Sequence, residues 1–89
     1  MEKTIVLTIN GKDITFKVGM DDYNKLVNEM TPTNKVSPAH NFLMRTVEDG
    51  SKDDLKELLK LPGAAVEILG QVVGEYVPDL QITVGKPSA

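Results

Sequence analysis

Residues 3–19, KTIVLTINGKDITFKVG, hold two runs with a large apolar residue at every second position, on either side of an Asn-Gly pair. Ile5, Leu7 and Ile9 alternate with Val6 and Thr8, and Ile14, Phe16 and Val18 alternate with Thr15 and Lys17. Side chains on a strand point to opposite faces in turn, so each run reads as a strand with one greasy face, and the short break between them as a hairpin turn. Two registers satisfy the pattern. An Asn10-Gly11 loop pairs Leu7 with Ile14 and leaves Ile9 facing Lys12. A Gly11-Lys12 loop instead sets Ile9 against Ile14, Leu7 against Phe16 and Ile5 against Val18, matching all three apolar pairs. Asn-Gly favours a type I′ turn, while Gly in first place suits type II′, so the register stays open. Either way, one apolar sheet face must be covered, and the rest of the chain has to supply the cover.

The next segments have helical spacing. In MDDYNKLVNEM, Tyr23, Leu26, Val27 and Met30 recur on one side, and Asp21 and Asp22 complement the positive helix N-terminus. Pro32 breaks this helix, and Ser37-Pro38 suits the cap and first position of the next. There Ala39, Phe42, Leu43, Thr46 and Val47 fall at i, i+3, i+4, i+7 and i+8, an inward stripe. Ser51 and Asp54 have the spacing of a capping box for a third helix, with Leu55, Leu58 and Leu59 facing inward. Pro62 separates it from the longest and most apolar helix, residues 62–77, which Pro78 stops.

After Pro78, Leu80, Ile82 and Val84 alternate with Gln81 and Thr83, which predicts a third strand added to the hairpin. A lone hairpin is marginal in water, and a third strand beneath helices would make the sheet viable. The fold expected is α+β: an N-terminal β-hairpin plus a C-terminal strand forming a small antiparallel sheet, covered by about four short helices. Residues 1–86 are expected to form a single α+β domain, and residues 87–89 a frayed tail.

Composition narrows the function. The chain of 89 residues has no cysteine, which excludes a disulfide framework and a thiolate metal site. Its charge of −3, from 13 acidic and 10 basic residues, is well interspersed, without the basic patch that phosphate binding requires. Nucleic acid is not an expected partner. No apolar run reaches the ~20 residues that span a bilayer, and the start MEKTIVLTIN has no signal-peptide pattern, so no membrane role and a cytoplasmic location are expected.

Three constellations invite chemistry. His40, the only histidine, lies beside Asn41 and Arg45, but on a helical wheel these sit on or beside the wet side of their helix, and no nucleophile or orienting acid stands at catalytic spacing. Glu48, Asp49, Asp53 and Asp54 lack the alternating order of a calcium loop and read as a solvated acidic loop. Gly63, Gly70 and Gly74 do not follow the phosphate-loop patterns. Gly70 and Gly74 form a small-xxx-small pair, and each interior glycine costs a helix about 1 kcal/mol relative to alanine. Some other backbone should approach closely there, either within the domain or from a partner. No cofactor, metal ligand or catalytic residue is assigned.

The strings DYNKLVNEM, NKVSPAHNFLMRTV and PGAAVEILGQVVGEYVPDLQITVGK resemble a family of small tail assembly chaperones of tailed bacteriophages and prophages, over roughly Lys3 to Lys86. The resemblance implies a non-enzymatic protein in the infected host's cytoplasm. Such chaperones hold the tape-measure protein soluble, help recruit tail-tube protein, and leave before the virion is complete. A structural tail-completion or connector protein retained in the virion is the competing reading.

A holdase needs an exposed apolar face or groove. Helix 62–77 has more apolar side chains than one stripe can bury. Ile68, Val72 or their neighbours are therefore expected to stay partly exposed, and Ile68, Val72, Gly70 and Gly74 to bind a client or a second copy in a homo-oligomer.

Overall fold

The computed structural model describes residues 2–87; of the tail expected at 87–89, Ser88 and Ala89 lie outside the described residues. Strands β1 (Glu2–Ile9) and β2 (Lys12–Gly19) are followed by α1 (Met20–Glu29), α2 (Val36–Thr46), a 3-10 turn (Asp49–Ser51), α3 (Lys52–Leu58) and α4 (Ala64–Tyr76). The architecture is α+β, a two-stranded antiparallel sheet with four α-helices.

The hairpin adopts the Asn10-Gly11 register, with Leu7 opposite Ile14, Ile5 opposite Phe16 and Ile9 opposite Lys12. The register with three matched apolar pairs is not formed. Asn10 and Gly11 both take positive φ, 50° and 82°, as a type I′ turn demands, and its twist matches that of the strands. Both registers keep the same residues on the same face, because they differ by a two-residue slide. Turn chemistry therefore decided between them.

The inner face carries the core. Ile14, Phe16 and Val18 are fully buried and Ile5 nearly so. The α2 stripe lies against them: Ala39, Phe42, Leu43, Thr46 and Val47 are all buried, as the spacing requires. Leu26 of α1, Leu55 and Leu58 of α3, and Ile68, Leu69 and Val72 of α4 complete the cluster. Thr46 avoids an unpaired hydroxyl by donating to the Phe42 carbonyl at 2.9 Å.

One helix start and one helix cap differ from expectation. Helix α2 begins at Val36 with Lys35 as its cap, so Pro38 is the third helical residue rather than the first. Its missing N–H costs nothing there, because first-turn N–H groups have no intrahelical partner. Ser51 does not close a capping box on α3. Its Oγ accepts the Thr15 N–H at 3.0 Å instead, and Glu48 N–H donates to the Thr15 carbonyl at 2.9 Å. These bonds fasten the chain after α2 to the outer edge of β2. A matching bond appears at α1, where Asp22 Oδ2 accepts the Gly19 N–H at 3.0 Å.

The C-terminal strand is not formed. Residues 78–87 have no regular secondary structure, and the sheet has two strands. Leu80, Ile82 and Val84 are 65%, 79% and 99% exposed. Four helices already cover the sheet's inner face, so the hairpin is viable without a third strand, which removes the premise of that expectation. The segment instead lengthens a molecule that measures 59 × 29 × 22 Å.

Candidate partner-binding surfaces

Helix α4 is the element the sequence singles out, and its ends are defined locally. Gly63 precedes it with φ 74°, a left-handed conformation that a residue with a Cβ adopts only under strain. At the other end, the Val77 N–H reaches the Val73 carbonyl at 2.9 Å before Pro78 ends the helix. The helix packs on α2 and β1. Its C-terminal end is held to α1 by Tyr76 against Tyr23, ring centroids 5.6 Å apart, and to β1 by a hydrogen bond from Lys3 Nζ to the Glu75 carbonyl.

The four residues proposed for binding divide between two faces. Ile68 and Val72 point into the core at 6% and 0% exposure, so the expectation of partial exposure fails for them. Their neighbours carry it: Val66 and Val77 are 43% and 40% exposed. Gly70 and Gly74 lie on that same outer side, and a Cβ built on either meets nothing within 4 Å. Close packing inside the domain therefore does not explain these glycines. Positions 66, 70 and 74 recur every fourth residue, which makes one outward row on a helix, with Val77 continuing it. The row is low, smooth and flanked by Glu67, Gln71 and Glu75.

A second surface lies between α4 and the hairpin. A groove of about 500 Å³ is lined by Leu7 and Ile9 of β1, Leu61 before α4, and Ala64, Glu67 and Ile68 on α4. Leu7 and Ile9 belong to the inner sheet face but are only half-buried, because they extend past the helical cover. Sequence reading missed this groove. The available signal was that Ile9 and Leu61 are apolar residues directly before turn residues.

The polar constellations sit apart from both surfaces. His40 and Asn41 are exposed on α2, and among the described residues the His40 side chain makes no hydrogen bond or ion pair. Arg45 leaves that group entirely: its Nε bonds to Asp22 Oδ1 at 3.1 Å and its guanidinium lies 5.8 Å from the Phe42 ring centre, so it ties α2 to α1. In the acidic segment, Glu48 and Asp49 are exposed and Asp54 pairs with Lys12 at 3.2 Å. Among the described residues, no cluster of His, Asp and Glu has metal-binding geometry, and no helix is long and apolar enough to cross a membrane.

Comparison with known proteins places the chain in a family. The sequence profile described as phage tail assembly chaperone matches residues 5–86. A protein of Haemophilus phage HP1 (strain HP1c1), described as an uncharacterized 11.3 kDa protein in the lys 3′ region, is 30% identical over 84 residues, covering 94% of this chain and 82% of its own. No solved structure matches.

Proposed function

The chain belongs to the phage tail assembly chaperone family, and on that premise we propose that it binds the tape-measure protein and helps recruit tail-tube subunits during tail morphogenesis. The role is non-catalytic and is carried out in the host cytoplasm, before the finished particle forms. The observation that carries the reading is the outward row on α4. Two interior glycines that no other element among the described residues approaches weaken a helix by about 1 kcal/mol each, a cost that close approach of a partner backbone would offset. A client helix lying along Val66, Gly70, Gly74 and Val77 would come close in the manner of small-xxx-small packing, with the two valines as apolar ends. Ile68 and Val72 serve this face from beneath, by fixing α4 to the core.

The burial of Val72 dictates the test. Aspartate at that position would unfold the protein and report nothing about binding. Gly70→Gln with Gly74→Gln is informative, because both sites are open and glutamine is the better helix former, so the doubly substituted protein should gain several tenths of a kcal/mol in stability. The expected outcome is loss of the tape-measure protein from co-purification, with a melting temperature equal to or above that of the parent. Undiminished co-purification would show that the row is not the client site. Mass spectrometry of purified particles should find the protein missing. Its presence at fixed stoichiometry would favour a connector or tail-completion role.

A further inference from the structure

We propose that residues Asp79–Lys86 act as a β-strand in trans, adding alongside β1 of a second copy so that two chains exchange their C-terminal arms. This concerns self-association and does not depend on the client reading above.

Each chain holds both halves of the contact. The acceptor is the open edge of β1. Thr15 directs its N–H and C=O away from β1, where Ser51 and Glu48 take them. Its opposite residue Val6 belongs to the same widely spaced pair and so directs its own groups to the other edge, as do Thr4 and Thr8 two residues either side. Among the described residues no backbone hydrogen bond is made on that edge. An unpaired edge of this kind is a template for another strand.

The donor has the matching pattern. Leu80, Ile82 and Val84 alternate with Gln81 and Thr83, as Ile5, Leu7 and Ile9 of β1 alternate with Val6 and Thr8. Laid beside β1, the arm's three aliphatic side chains fall on the inner face, and the groove bordered by Leu7, Ile9, Leu61 and Ile68 lies at the arm's far end, where it receives Val84. Gln81 and Thr83 join the solvated outer face with Thr4 and Thr8. Seven residues from Leu80 to Lys86 span about 23 Å, close to the length from Lys3 to Ile9.

Charge sets the direction. Glu67 is the one charged residue lining the groove, which meets β1 at its Leu7–Ile9 end, whereas Lys3 marks the other end of the strand. An arm running parallel to β1 brings Lys86 to Glu67 and Asp79 toward Lys3. The antiparallel arrangement sets like charges together at both ends.

The second copy is the occupant because the arm leads away from its own body. Exposure rises along it from 65% at Leu80 to 99% at Val84, and the molecule is about twice as long as it is wide. One strand of seven residues falls short of the roughly 1,200 Å² that a specific interface buries, and two exchanged reciprocally by a two-fold axis reach it.

Sedimentation equilibrium and hydrogen exchange on the full chain test this. The parent should be a dimer at tens of micromolar, with the amides of Thr4, Val6 and Thr8 protected and protection lost on dilution to monomer. Ile82→Asp should weaken the dimer at least tenfold and leave circular dichroism unchanged, because Ile82 is 79% exposed in the single chain. A parent that stays monomeric at hundreds of micromolar overturns the proposal. So does an undiminished Ile82→Asp dimer. Protection of those amides in a monomer also overturns it, since the arm would then be closing on its own chain.

Discussion

Residues 5–9 and residues 80–84 both carry a branched aliphatic side chain at every second position, yet they have opposite fates. The first is paired along its length and buries Ile5, while the second has no partner and exposes all three of its aliphatic side chains. The difference lies in what is nearby. β1 meets β2 across a two-residue turn, so little loop-closure entropy opposes pairing, and the turn residues themselves hold the geometry. The later segment follows four helices that have already covered the sheet. A period-two pattern declares that a segment can be a strand; it does not say which strand it will join, or in which chain.

The contrast is broken most severely by substitutions that should separate body from arm. Phe16→Ala removes a fully buried ring from beneath α2 and should cost about 3–5 kcal/mol, a large share of the stability of so small a chain. Val84→Ala, at 99% exposure, should leave monomer stability within about 0.5 kcal/mol. Urea unfolding at low micromolar concentration distinguishes the two. If they cost similar amounts, the arm belongs to the core. A smaller effect tests the start of α4. Gly63 sits at φ 74° with open space around it, so Gly63→Ala should lose about 1 kcal/mol from backbone strain alone. An unchanged unfolding midpoint would mean that the turn before α4 relaxes without cost.

What could be read from the sequence follows from the same physics. The α2 stripe was legible residue by residue, because a helix packed on a sheet has one inward side and its spacing names it. Hairpin existence was legible too, but not its register: sliding by two residues preserves both faces, and the positive φ values that Asn10 and Gly11 supply outweighed the better match of apolar pairs across the strands. Helix α4 showed a surplus of apolar residues without showing which would remain outside. Ile68 and Val72 were buried by α2 and β1, contacts distant in sequence, and Gly70 and Gly74 were left facing out. Ser51 was misread for a related reason. A local capping pattern competed with a backbone N–H on β2, 36 residues away, and the distant donor won.

If residues 2–77 hold the fold and the arm serves association alone, shortening the chain is the direct measurement. A chain ending at Val77 should unfold in urea, at concentrations where the parent is monomeric, with the same midpoint and the same slope. A loss exceeding about 1 kcal/mol, or a smaller slope reporting less surface exposed on unfolding, would show that Leu80, Ile82 and Val84 are part of the folded body after all.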